Sequence, residues 1–201
     1  MNQNPILNNP YNEPLLHYHT NDDGELDYTN TVSGRRVFRP DRDAMPTRQK
    51  HQKKIFDENA FAQDYENHLV NLIRNEIEQW RKDGYPNTTR VTKELLDFWF
   101  NNPERHAIKK LFYAQKEAIE TAIWINEIAN RTNPGQNILN QLKLTQQTVS
   151  QDPHEQLPRI AFKMATGTGK TVVMATLIVY HYFNRQEYRQ AKRFADYFLI
   201  V

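Results

Sequence analysis

Met164-Ala-Thr-Gly-Thr-Gly-Lys-Thr171 is the most informative stretch of the chain, because it lies between two apolar segments and has the glycine and lysine spacing of a phosphate-binding loop. Gly167 and Gly169 allow a tight turn that aims successive backbone N–H groups and a helix N-terminus at an anion. The ammonium group of Lys170 would reach the β- and γ-phosphates of a nucleotide, and the hydroxyl of Thr171 would hold Mg²⁺. The stretch therefore predicts a nucleotide-binding site at the start of a helix.

The segments on either side of this loop predict an α/β fold. Residues 159–164 form a short apolar run after Pro158, which is typical of a buried parallel strand. Residues 172–180 are apolar on all sides, which is typical of a helix packed inside a layered domain. Residues 194–201 have the pattern of a second buried strand. This order predicts the start of the parallel sheet of a P-loop NTPase (RecA-like), preceded by a mainly helical N-terminal region.

Composition limits the class of protein. With 201 residues, of which 38% are hydrophobic, the chain is long enough for one or two small domains. The formal net charge of +2 gives no argument by itself for nucleic-acid binding. The lack of cysteine excludes a disulfide scaffold, and the seven histidines show no ligand grouping, so we expect no zinc site. The N-terminus lacks a signal-peptide pattern, and no apolar run approaches the ~20 residues of a membrane span, so we expect a cytoplasmic protein without membrane contact.

The N-terminal half of the chain divides into two regions by pattern. Residues 1–58 are rich in proline, asparagine and charged residues and show little periodicity, which predicts an extended or partly disordered arm with a turn at residues 21–24. Residues 59–108 are expected to be helical, with Trp80 and Trp99 as core residues and not as base-stacking platforms. The apolar stripes that predict the helices lie at residues 61–80 and 89–102.

Two basic clusters lie in the predicted arm, at residues 35–39 and 48–54. Either cluster could contact phosphates, with Phe38 against a base or against a protein core. A solvated surface is the commoner outcome for such clusters. The sequence leaves these alternatives open.

Residues 109–201 are expected to form the start of the nucleotide-binding lobe. A helix is predicted from 109 to 130. An insertion at about 131–157 would separate it from the phosphate loop, with a turn at Asn133-Pro-Gly135 and a polar amphipathic segment at residues 138–149.

The phosphate loop departs from the G-x-x-x-x-G-K-[ST] pattern at its first position, where Met164 stands in place of glycine. Without that glycine, the A-x-x-G-x-G-K-T loop resembles motif I of superfamily 2 helicases and translocases. Residues 85–201 resemble the start of restriction-type members of this superfamily. The resemblance is to the Res subunit of type III restriction enzymes and its DEAD/DEAH-box-like relatives.

The resemblance implies roles for individual residues. Lys170 and Thr171 would be catalytic, and Thr171 would bind Mg²⁺. In the segment Phe112-Tyr113-Ala-Gln115, the amide of Gln115 would donate to and accept from the adenine edge, and Phe112 or Tyr113 could pack on the ring. The alternative is an ordinary helical glutamine beside two core aromatic residues. The other residues expected to bind ATP are Ala165, Thr166, Gly167, Thr168 and Gly169.

The family implies ATP hydrolysis that drives movement along duplex DNA, with a methyltransferase modification subunit as partner and a nuclease domain near the far C-terminus. The sequence holds no Walker B carboxylate after Thr171 and no second motor lobe, so we expect an N-terminal piece of such an enzyme that is inactive alone. One alternative is a free-standing, non-catalytic nucleotide- or DNA-binding module. Another is a nucleotide kinase or GTPase, against which Met164 and residues 112–115 argue.

Overall fold

The computed structural model describes residues 6–21, 25–38, 68–149 and 160–199. The chain divides into two compact units, Met1–Leu72 and Ile73–Val201. Its strands and helices are, in chain order, β1 (Leu16–Thr20), β2 (Leu26–Ser33), α1 (Leu69–Lys82), α2 (Arg90–Phe100), α3 (Pro103–Lys109), α4 (Tyr113–Ile123), a π-helical turn (Trp124–Ile128), a 3₁₀ turn (Ala129–Arg131), α5 (Asn133–Val149) and α6 (Lys170–Glu187).

The N-terminal unit contains an antiparallel hairpin in a region where the sequence predicted an extended arm. Strands β1 and β2 pair with Leu16 opposite Ser33, and the register shifts between Tyr18 and His19. The rings of Tyr18 and Tyr28 meet edge to face, with centroids 5.0 Å apart. The prediction missed the hairpin because β1 is only five residues long and gives little alternation to detect. Of the predicted turn, residues 22–24 lie outside the described residues.

Phe38 packs against protein in this unit. Its backbone N–H donates to Oδ1 of Asn71 and its carbonyl accepts from Nδ2 of Asn71, each over 3.0 Å. Its ring lies 5.2 Å from the ring of His68. Of the alternatives for Phe38, the structure therefore supports packing against the protein, while the basic cluster at residues 48–54 lies outside the described residues.

Two helices of the C-terminal unit begin at capping side chains. α2 confirms the predicted second helix, and Oγ1 of Thr89 accepts from the N–H of Thr92 over 3.0 Å at its start. α3 begins with Pro103 behind the capping side chain of Asn102. Residues 69–80 of the predicted helix at 61–80 lie in α1. Residues 61–67 lie outside the described part of the chain.

Two predictions about helix boundaries were wrong. The predicted helix at 109–130 is divided, because Lys110 and Phe112 have extended backbones and α4 starts only at Tyr113. The predicted turn at Asn133-Pro-Gly135 is instead the first turn of α5. The N–H of Gly135 donates to Oγ1 of Thr132 over 3.1 Å, and proline is tolerated in a first turn because the N–H it lacks has no partner there.

The core of the C-terminal unit is formed by aromatic and branched apolar side chains. Trp80 and Trp99 are buried, which confirms their predicted packing role. Burial of one such large side chain contributes about 1.5–3 kcal/mol, so this cluster is a main source of the stability of the unit. Its other fully buried apolar members are Ile77, Leu96, Ile119, Ile123 and Trp124.

The two strands predicted on either side of the phosphate loop are not formed. Residues 160–164 and 194–199 have no strand assignment, and the only sheet in the described residues is the β1–β2 hairpin. A strand exists only where a neighbour completes its hydrogen-bond ladder, and neither segment has such a neighbour among the described residues. The helix predicted between them is confirmed as α6. No helix in the described ranges is long and apolar enough to cross a membrane.

Candidate phosphate-binding site

The phosphate loop, residues 165–171, has the backbone geometry that its glycines predict. Gly167 and Gly169 have φ angles of +80° and +74°, in the left-handed region that glycine enters without steric cost. The side chain of Thr168 closes the loop, because its hydroxyl donates to the carbonyl of Ala165 over 2.6 Å. Gly169 is the N-cap of α6, so the loop leads directly into a helix N-terminus.

The two residues predicted to be catalytic are the first two residues of α6. Lys170 and Thr171 are both exposed. Nζ of Lys170 donates to the carbonyl of Ala165 over 3.0 Å, so the ammonium group already lies across the loop. Because the backbone N–H groups of the first helical turn have no partner inside a helix, this end of α6 can accept an anion.

Gln115 connects α4 to the phosphate loop. Its Nε2 donates to the carbonyl of Thr168 over 2.9 Å and to that of Gly169 over 3.4 Å. Its Oε1 accepts from the N–H of Phe112 over 2.9 Å, and the side chain is only 5% exposed. A Cβ atom on Gly169 would collide with Nε2 of Gln115. The buried amide thus bridges the N-termini of two helices.

The two aromatic residues beside Gln115 have different surroundings. Phe112 is half-buried and is the N-cap of α4, next to the side-chain amide of Gln115. Tyr113 is buried, and the guanidinium of Arg81 lies 5.4 Å from its ring centroid. Tyr113 therefore packs within the helical core, while Phe112 lies at the start of α4 and donates its N–H to the amide of Gln115.

A buried ion pair that was not predicted from the sequence joins α4 to α1. Glu120 is fully buried, and Nε and Nη2 of Arg81 donate to its carboxylate over 2.9 and 2.6 Å. The hydroxyl of Tyr85 donates to the same carboxylate over 2.5 Å. Burial raises the pKa of Tyr85 well above its usual value, and the charge of Glu120 raises it further. This pair fixes α4 to α1, because a buried charge is tolerated only with such partners.

A second buried carboxylate, also missed, lies in the π-helical turn. Oε1 of Glu127 accepts from the hydroxyls of Thr92 and Tyr180 over 2.6 and 2.9 Å, and its Oε2 accepts from the N–H of Thr89 over 2.9 Å. Burial, followed by the charge of Glu127, raises the pKa of Tyr180. The carboxylate thereby connects α2 with α6, the helix that follows the phosphate loop.

A signal for both carboxylates was present in the sequence. Glu120 and Glu127 are seven residues apart, which is two helical turns, and they share a face with apolar residues such as Ile123 and Trp124. An acidic residue on the apolar stripe of a helix indicates a buried hydrogen-bonded carboxylate. Their partners, however, come from distant parts of the chain.

The comparison with known families agrees with the motif. Residues 108–200, just under half of the chain, match the family model described as "Type III restriction enzyme, res subunit". The match confirms the resemblance that motif I predicted, since this part of the chain is similar to the Res-subunit family. The match indicates an ATP-dependent, helicase-like function of a restriction enzyme. No curated protein and no solved structure matches the chain significantly.

Proposed function

We propose that this chain binds ATP with Mg²⁺ through residues 165–171, as the nucleotide-binding start of a motor that acts on DNA. The observation that carries the proposal is the loop geometry, in which two glycines with positive φ lead into α6 with Lys170 as its first residue. Lys170 would bind the β- and γ-phosphates, and the hydroxyl of Thr171 would be a ligand of Mg²⁺. The bound metal ion would offset the charge of the phosphates.

The adenine ring is proposed to lie beside Phe112 and Gln115. Oε1 of Gln115 accepts one hydrogen bond, from Phe112, and an amide oxygen has two lone pairs. The second lone pair could accept from the amino group of adenine. Tyr113 is less suited to pack on the ring, because Arg81 already lies over it.

The parallel RecA-like sheet is proposed as the cover of α6. On one face of this helix, the large side chains of Val172, Tyr182 and Phe183 are 41–51% exposed, and none of them is charged. A helix that is apolar on both faces is typical of the inside of a layered domain. Residues 160–164 and 194–199, which precede and follow the helix in the sequence, would form neighbouring strands of this sheet in a complete lobe.

DNA and a modification subunit are proposed partners of a longer protein that contains this chain. The proposal rests on the family match of residues 108–200. In that protein, a Walker B carboxylate from beyond the present sequence would help to position Mg²⁺ and the attacking water. Translocation and cleavage of DNA would depend on further parts of the enzyme.

The Lys170→Ala substitution tests the nucleotide site. We expect it to abolish ATP binding by this chain in isothermal titration calorimetry, and to abolish DNA-stimulated ATP hydrolysis in a longer protein, because an uncharged methyl group cannot stabilise the phosphates. The exposed residue Lys192, outside the loop, provides the control: Lys192→Ala should bind ATP like the unchanged chain. An ATPase rate unaffected by Lys170→Ala would refute the role of this residue.

The second candidate function is a non-catalytic nucleotide- or DNA-binding module. The two functions are separated by the reading frame after the codon for Val201, together with an ATPase assay of its product. A downstream Walker B segment and DNA-stimulated hydrolysis would support the motor. A stop codon and ATP binding without hydrolysis would support the module.

A further inference from the structure

Gln115 holds two consecutive carbonyl groups of the phosphate loop. Its Nε2 lies 2.9 Å from the carbonyl oxygen of Thr168 and 3.4 Å from that of Gly169. The same side chain is anchored from behind, because its Oε1 accepts from Phe112 over 2.9 Å. Because Gln115 is only 5% exposed and its amide is in close contact with Gly169, the side chain has little freedom to move away. The carbonyl of Thr168 is therefore held by a group outside the loop, and the carbonyl of Gly169 is held both by this group and by the first N–H groups of α6.

The direction of these carbonyls also fixes the direction of two N–H groups. In a planar trans peptide, the C=O of one residue and the N–H of the next point in opposite directions. The carbonyl of Thr168 points toward Gln115, so the N–H of Gly169 points away from it. The carbonyl of Gly169 accepts from Gln115 and also from the N–H groups of Val172 and Val173 over 3.0 and 3.4 Å, so Gln115 and α6 together set the direction of the N–H of Lys170. These two N–H groups belong to the glycine-rich turn and the helix start, where an anion is expected to bind.

We propose that Gln115 is a positioning residue that aims the N–H groups of Gly169 and Lys170 at the polyphosphate of the nucleotide. The inference rests on the proposed function of the loop and deepens it. The role is independent of the base, because the amide acts on the loop backbone. It therefore extends to any ligand with a Mg²⁺-bound triphosphate chain. A donor is essential at this position, since a carbonyl can only accept a hydrogen bond.

The test uses a ligand without a base. Binding of Mg²⁺-ATP and of Mg²⁺-tripolyphosphate is measured by calorimetry for the whole chain and for Gln115→Met. The methionine has a similar length but no N–H donor. We expect tripolyphosphate to bind on the order of tenfold more weakly, which corresponds to the loss of the hydrogen bonds that orient the loop. ATP should weaken by at least that factor, because Gln115 is also proposed to lie beside adenine. Gln136→Met, at an exposed helical glutamine in α5, is the matched control and should change neither affinity.

Two further measurements separate positioning from a general loss of structure. Gln115→Glu keeps the acceptor for the N–H of Phe112 at the start of α4 but has no donor for the loop, so α4 should remain while tripolyphosphate binding weakens. In ¹⁵N–¹H spectra, tripolyphosphate should shift the amides of Gly169 and Lys170 in the unchanged chain. In the variants these shifts should be smaller, while the amide signals from the middle of α6 should keep the positions that they have in the unchanged chain.

The affinities for ATP and for tripolyphosphate together distinguish the possible roles of Gln115. A loss of affinity for ATP alone, with tripolyphosphate unaffected, would show that Gln115 reads adenine and would overturn the positioning role. Unchanged affinity for both ligands would also overturn it, even if Lys170→Ala abolishes binding and so supports the proposed function. If the unchanged chain and Lys170→Ala bind the two ligands equally weakly, the proposed function itself fails.

Discussion

At the scale of single residues, the phosphate loop depends on two glycines that are used for different reasons. Both have positive φ, which costs an L-residue about 1–2 kcal/mol. Around Gly167 there is open space, since a Cβ atom there would meet no atom within 4 Å. At Gly169 a Cβ atom would collide with Gln115. Glycine at position 167 is therefore required only by the positive φ angle. Glycine at position 169 is required both by the φ angle and by the close contact with Gln115.

This difference predicts unequal effects of two identical substitutions. Gly167→Ala should lower the free energy of unfolding by about 1 kcal/mol through backbone strain. Gly169→Ala should cost roughly 1–3 kcal/mol more, because the added methyl group displaces the amide of Gln115. It should also weaken ATP binding more strongly than Gly167→Ala. Urea unfolding and calorimetry measure the two effects. Equal losses for both variants would contradict the close contact at Gly169.

At the scale of secondary-structure elements, α6 is held at its far end by a buried polar network. Glu127 projects inward from the π-helical turn and accepts from Thr92 and Tyr180. Asn184 of α6 is fully buried, and its Nδ2 donates to Oγ1 of Thr92 over 2.9 Å. The position of α6, and with it the position of the phosphate loop, therefore depends on side chains of α2 and of the π-helical turn.

Glu127→Gln tests this network with almost no change of volume. The new amide nitrogen cannot accept, so if it takes the place of Oε2, the N–H of Thr89 loses its partner. We expect the free energy of unfolding to fall by about 1–3 kcal/mol. Glu187→Gln is the control, because Glu187 forms an exposed ion pair with Arg90 that is worth about 0–1 kcal/mol. The idea fails if both variants unfold at the same urea concentration.

At the scale of the whole molecule, stability is coupled to pH through His181. The N–H of Ala195 donates to Nδ1 of His181 over 3.3 Å, and the ring of Phe194 lies 6.3 Å from the imidazole. Nδ1 can accept this bond only in the neutral form of the ring. Burial lowers the pKa of His181 below its usual value, and the charge of Glu127 opposes this only in part.

The sign of the pH effect follows from proton linkage. The unfolded chain binds the proton of His181 at a higher pH than the folded chain. The contribution of neutral His181 to the free energy of unfolding is therefore fully present above about pH 6.5, and it is lost as the pH drops toward the lower pKa of the folded state. We expect the urea midpoint to decrease between pH 7.5 and 5.5. His181→Asn should reduce this decrease, since asparagine keeps an acceptor but does not titrate. Parallel pH profiles for the two proteins would exclude His181 as the cause.

The phosphate loop, the helix after it and the resemblance to the Res-subunit family could all be predicted from the amino-acid sequence. These features are local: Gly167, Gly169, Lys170 and Thr171 lie within five residues, and their φ preferences and helix signals act over that distance. The burial of Trp80 and Trp99 also followed from helical periodicity.

The contacts between distant residues could not be predicted from the sequence and depend on the packing of the helices. Gln115 holds a carbonyl that is 53 positions away, and Glu120 pairs with Arg81 across 39 positions. Periodicity shows that a side chain faces the core but does not name its partner, because hydrogen bonds between distant residues depend on how the helices pack. For the same reason the apolar segments 160–164 and 194–199 did not become strands: a strand also requires a neighbour, and apolar sequence alone does not supply one.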